Sequence, residues 1–130
     1  MHSVEIKSVD LEKVCRSADQ YATRLLATNE DVEEIIVFGS FAEGTYAPGS
    51  DLDVFIVLSR ADKTPRERIA AFLPNQFPVP MDVFPFTRAE MAERDSSPLI
   101  AAVGKSNWRY KQARRVRGQP GESAVTPPRG

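Results

Sequence analysis

The sequence predicts an α/β domain, and three observations carry the prediction. Short apolar runs at 35–38, 51–58 and 79–84 have the length and the β-branched or aromatic content of strands. Two capping-box sequences, Thr64-Pro65-Arg66-Glu67 and Thr87-Arg88-Ala89-Glu90, open helices behind the second and third of these runs. A long amphipathic pattern precedes all of them.

That pattern occupies residues 9–27, where Leu11, Val14, Ala18, Tyr21, Leu25 and Leu26 recur at three- and four-residue spacing on one helical face. Residues 29–34 are polar and acidic and read as a loop. The strand 35–38 runs into Gly39-Ser40, and Phe41-Ala42-Glu43 suffices for a first helical turn whose N–H groups would face an anion. Residues 45–49, ending in Pro48-Gly49, form a turn. The run 51–58 reads as a central strand, because it stays apolar after its two aspartates.

The next helix starts with Pro65 at its first position, carries Ile69, Ala70 and Leu73, and stops before Pro74. Residues 75–80 are extended, and the strand at 79–84 contains Asp82 between Met81 and Val83. The second capping box begins a short helix ending near Asp95. A further short helix covers 98–103 and is closed by Gly104, and Trp108 with Tyr110 marks a last strand packed on the sheet edge. Beyond Lys111 the Pro-, Gly-, Arg- and Ser-rich run reads as a disordered tail, with Arg114, Arg115 and Arg117 as its solvated basic cluster or, functionally, a docking arm. There is no internal repeat.

A length of 130 residues bounds the chain to one domain, here 1–110, followed by the tail 111–130. No apolar run reaches the 18 residues of a membrane span and no signal-type segment opens the chain, so a soluble, cytoplasmic protein is expected. The single cysteine, Cys15, fits a reducing compartment and an ordinary place on the first helix, and His2 is not expected to matter. The net charge of −1 conceals an asymmetry: residues 1–104 carry ten Lys/Arg against seventeen Asp/Glu, and residues from Lys105 onward carry seven against one. An acidic body argues against a broad nucleic-acid surface, leaving only the basic tail for such a contact.

Asp51 and Asp53 stand two apart at the head of a strand, so their side chains leave the same face about 7 Å apart. Two hard oxygen ligands on one face suit Mg²⁺, which takes a few carboxylates together with phosphates and water. An aspartate such as Asp53 in an apolar strand is costly to desolvate unless it is paired or bound to a cation, and no basic residue lies near it in sequence. Asp82 raises the same question on another strand. The bland readings are that Gly39-Ser40 is an ordinary strand-end turn and that Asp51 caps the turn after Pro48-Gly49.

Gly39-Ser40-Phe41-Ala42-Glu43-Gly44, a short turn, then Ser50-Asp51-Leu52-Asp53 and an apolar strand closely resemble the signature of the minimal nucleotidyltransferases of the DNA polymerase β-like superfamily. The resemblance implies the nucleotidyltransferase palm, a mixed, mainly antiparallel sheet with helices on one face. It implies that Asp51 and Asp53 hold two Mg²⁺ ions about 4 Å apart, and that Asp82 completes the metal site and helps deprotonate the acceptor hydroxyl. Gly39, Ser40, Gly44 and Ser50 would lie along the nucleotide, with Gly39 admitting the phosphates close to the backbone. The implied activity is transfer of a nucleoside monophosphate, expected to be AMP from ATP, to a hydroxyl, with pyrophosphate released. In the family, minimal members are commonly paired with a helical HEPN-type toxin and act as its antitoxin by adding AMP to a tyrosine, which the resemblance makes the leading acceptor here. A HEPN-type partner or a second copy of the chain would then supply the acceptor surface that so short a chain lacks. Transfer to a small molecule such as an aminoglycoside, and a non-catalytic module acting by contact, are the alternatives. One departure stands out: family members often carry a basic residue between the serine and the second glycine, where this chain has Phe41-Ala42-Glu43. Glu43 beside a triphosphate would weaken its binding unless the carboxylate points outward.

Overall fold

In the computed structural model, which describes residues 9–112, the elements follow in the order α1 (Leu11–Thr28), β1 (Val32–Phe38), α2 (Ser40–Glu43), β2 (Leu52–Leu58), α3 (Pro65–Phe72), β3 (Met81–Thr87), α4 (Arg88–Glu93), α5 (Pro98–Lys105) and β4 (Trp108–Lys111). His2 and the basic cluster Arg114, Arg115 and Arg117 lie outside the described residues. The sheet order is β3-β2-β1-β4. β1 runs antiparallel to both β2 and β4, whereas β2 and β3 are parallel and joined through α3. The mixed, mainly antiparallel sheet is therefore present, with β2 in its interior.

The helices cover both faces of this sheet rather than one. Side chains alternate along a strand, so β2 sends Leu52, Val54, Ile56 and Leu58 to one side and Phe55 and Val57 to the other, all buried. The first side packs with Ile35 and Val37 of β1 against Val14, Cys15, Ala18 and Tyr21 of α1 and Phe72 of α3. The second packs with Ile36 and Phe38 against Val103, Leu99 and Ile100 of α5 and Met91 of α4. Two strands without a polar face cannot leave either side in water, and that is why a single helical layer does not suffice.

Four boundaries differ from the expectations. β1 begins at Val32, inside the stretch read as a loop, because Glu34 is neutralised there: its Oε2 accepts from Arg109 Nη1 of β4 at 2.9 Å. β3 continues to Thr87 through Pro85, which an outer strand tolerates because its missing N–H faces away from the ladder. α3 turns Arg68 and Phe72 inward and leaves Leu73 exposed. Gly104 lies within α5, which ends at Lys105 with Ser106 as its C-cap, where Arg109 Nη2 and Nε take the carbonyls of Val103 and Ser106. Trp108 and Tyr110 are core residues beneath α1, with Trp108 Nε1 donating to the Tyr110 hydroxyl and that hydroxyl to Asp19.

Candidate active site

The site begins where β1 stops. Gly39 turns the chain with φ +80° and ψ −153°, a backbone that only glycine adopts easily. A Cβ on Gly39 would stand 2.3 Å from Asp53 Oδ2, so the absence of a side chain is what lets the two strands bring that carboxylate against the loop. α2 then makes a single turn, with Glu43 N–H donating to the Gly39 carbonyl at 2.9 Å. Gly44 closes it in the left-handed conformation at φ +80°. Phe41 is buried beneath the loop and stacks on Tyr46, the ring centroids 4.9 Å apart and the planes at 6°.

The following turn delivers the aspartates. Ser50 closes it twice, its N–H donating to the Ala47 carbonyl at 2.9 Å and its hydroxyl accepting from Ala47 N–H at 2.8 Å. Leu52 N–H donates to the Pro80 carbonyl at 2.8 Å, which ties the start of β2 to the start of β3. In that parallel register Asp53 stands directly beside Asp82, and across β1 Phe38 stands opposite Asp53. Asp53 and Asp82 leave the same face of the sheet as Phe38, Phe55 and Phe84, whose rings meet edge to face with centroids 5.5 Å apart for Phe38 and Phe84.

The electrostatics follow from this placement. Burial first, then the charges of Asp82 and Asp51, push the Asp53 carboxyl above the usual carboxylate range. Asp82 is pushed up as well, by burial, by the Asp51 charge and by a hydrogen bond with the Asp51 carboxyl. None of the ion pairs among the described residues includes Asp51, Asp53 or Asp82. Among those residues no group of three or more His, Cys, Asp and Glu is gathered so as to hold a metal ion as it stands. Like-charged carboxylates without a cation between them hold apart. In donor chemistry, three aspartate carboxylates beside a glycine turn, two of them with raised pKa, fit a hard divalent cation.

The sequence-derived residues thus divide. Gly39, Asp51, Asp53 and Asp82 converge at one end of β2 and β3, with Ser40 at the start of α2 next to them. Gly44 and Ser50 serve the turns that shape the loop. One neighbour was not foreseen: a cavity of about 160 Å³ opens beside Gly39, lined also by Ala42, Glu43, Lys105, Ser106 and Asn107. Only the basic character of Lys105 in a helix's last turn could have drawn notice in the sequence, and nothing local ties it to residue 39.

The sequence profile of a family described as a nucleotidyltransferase domain matches residues 19–103, which contain all of the converging residues. No curated protein matches the chain. Among solved structures, a protein from Sulfolobus solfataricus whose assignment as a nucleotidyltransferase is provisional superposes with a TM-score of 0.54 at 16% identity, over 88% of each chain. At that identity the likeness concerns the fold.

Proposed function

The chain belongs to the nucleotidyltransferase domain family, and from that premise we propose that it is a Mg²⁺-dependent enzyme moving AMP from ATP to a protein hydroxyl. The observation that carries this reading is the cluster of Asp51, Asp53 and Asp82, which has no ion-pair partner among the described residues and whose Asp53 lies against Gly39.

In this reading Asp51, Asp53 and Asp82 hold Mg²⁺, which when bound neutralises the triphosphate and polarises the phosphoryl oxygens. Gly39 lets the phosphates approach the backbone, and the Ser40 hydroxyl donates to a phosphate oxygen. Asp82 is exposed at the start of β3 with its pKa raised, and it takes the proton of the acceptor hydroxyl. The acceptor oxygen forms a bond to the α-phosphorus as the bond from that phosphorus to the bridging oxygen breaks, and pyrophosphate leaves. The rest of the work is positioning, which a small domain can do. The acceptor that the minimal-nucleotidyltransferase resemblance favours is a tyrosine of a HEPN-type toxin, which makes the chain an antitoxin.

The test is Mg²⁺-dependent transfer of label from α-³²P-ATP, with and without the product of an adjacent reading frame, beside Asp53→Ala. Label on the partner that vanishes in the variant supports the reading. No label with any of the four NTPs, in the presence of a tight complex with the partner, would replace it with neutralisation by contact alone.

A further inference from the structure

The loop from Gly39 to Gly44 offers no positive charge to a polyanion; its one ionisable side chain is the exposed Glu43. Countercharge for phosphates lying on Gly39 must therefore come from elsewhere in the fold. The cavity beside Gly39 is lined by Glu43 of α2 and by Lys105, Ser106 and Asn107 at the end of α5. Lys105 is exposed in the last turn of α5, and among the described residues its ammonium enters no ion pair or hydrogen bond.

The segment that carries it is tied down by side-chain hydrogen bonds at the helix exit. Ser106 is buried, and its hydroxyl donates to the Val37 carbonyl at 2.5 Å and accepts from Trp108 N–H at 3.1 Å. Arg109 reaches back to the Val103 carbonyl at 2.8 Å and the Ser106 carbonyl at 2.9 Å while its Nη1 is anchored on Glu34. The backbone of Lys105 and Asn107 is thus fixed to β1 at Val37, two residues before Gly39. A flexible lysine on a fixed base beside an anion cradle is placed to reach phosphate oxygens as a point charge.

We propose that Lys105, with Asn107 as a neutral donor beside it, binds the terminal phosphates of the nucleotide at the Gly39 end of the site. The assignment rests on the transferase reading above. Two simpler roles compete with it. Lys105 could complement the negative end of the α5 dipole, or it could do no more than balance Glu43 in the same cavity.

The deciding experiment measures binding of a non-transferable ATP analogue in Mg²⁺ to the full chain and to Lys105→Ala, Lys105→Arg, Asn107→Ala and the double variant Glu43→Gln/Lys105→Ala, with thermal midpoints recorded in parallel. A charge-assisted contact predicts a loss of affinity of about tenfold or more in Lys105→Ala. AMP affinity should fall less than twofold, Lys105→Arg should recover most of the loss, and inorganic tripolyphosphate should compete with the analogue less well on Lys105→Ala than on the unaltered chain. A lowered thermal midpoint with unchanged affinity would overturn the proposal in favour of the helix-end role. Full recovery of affinity in the double variant would overturn it in favour of simple charge balance. If the unaltered chain binds no NTP in Mg²⁺, the transferase reading falls as well, whereas binding that Lys105→Ala leaves intact removes this inference alone.

Discussion

Two groups of acidic residues in this domain receive opposite treatment. Glu34 and Glu90 are each met by an arginine: Arg109 Nη1 lies 2.9 Å from Glu34, and Arg68 grips Glu90 through two parallel bonds of 2.7 and 2.9 Å. Glu33 has Arg88. Asp51, Asp53 and Asp82, at the other end of β2, face one another with no ion-pair partner among the described residues. The pKa directions record the difference. Hydrogen bonds from Arg68 hold Glu90 down to about 2, whereas burial and like charge push Asp53 and Asp82 up. Among the described residues the fold offers no ion pair to Asp51, Asp53 and Asp82, a charge that in the proposed reading a bound cation would relieve.

The largest expected effect breaks the unpaired group. Asp53→Asn should lower transfer by about a thousandfold or more, on the scale of losing a main source of transition-state charge stabilisation. Its thermal midpoint in chelator should stay level or rise, because one repelling charge has gone. A destabilised, inactive variant would instead make Asp53 structural. The paired group should respond the other way. Arg68→Met strands Glu90 and the Pro85 and Lys63 carbonyls, and should cost about 3 kcal/mol in a urea titration, the lower end for breaking a buried pair since Glu90 is partly exposed.

Divalent cation and pH sharpen the contrast. Mg²⁺ at about 100 times its Kd should stabilise the protein by about 2.7 kcal/mol, and the gain should be lost in Asp53→Asn and Asp82→Asn but kept in Glu90→Gln. In chelator the two groups have opposite linkage. Glu90 is depressed when folded, so its contribution is present above the usual value of 4.5 and lost as pH falls from there toward about 2. Asp53 and Asp82 are raised when folded, so theirs is present below 3.8 and lost as pH rises through their folded values. Stability measured from pH 2 to 7 should fall less steeply on the acid side in Glu90→Gln and decline less at higher pH in the aspartate variants. The smallest effect belongs to an exposed pair: Arg60→Ala removes a contact to Asp31 between two largely solvated side chains and should change stability by less than about 0.5 kcal/mol.

Much of the fold was legible because its signals are local. Thr64 and Thr87 each accept from the N–H three residues on, with Glu67 and Glu90 returning the bond, as the two capping boxes predict. The Gly39 turn and the aspartate pair pointed to the candidate site because turn chemistry and residue spacing are properties of a few consecutive residues. Glu34 misled for the converse reason: a glutamate in an acidic stretch looks like a loop until Arg109, 75 residues away, neutralises it. Gly104 likewise looks like a helix stop until Ser106 N–H and Arg109 Nη2 take the Val103 carbonyl and Arg109 Nε takes the Ser106 carbonyl. Glu90 shows both sides, since its capping role was readable and its grip on Arg68 was not.

By itself, then, the sequence determined which segments are strands and helices, and that Gly39, Asp51 and Asp53 form one local unit, since both follow from periodicity and turn chemistry over a few residues. The tertiary structure alone decided that β3 lies parallel to β2 with Asp82 beside Asp53, that helices cover both faces, and that Lys105 and Glu43 line one cavity. Those facts depend on which distant segments pack together, and packing is set by the burial of two apolar faces at once, a condition that no local window of the chain contains.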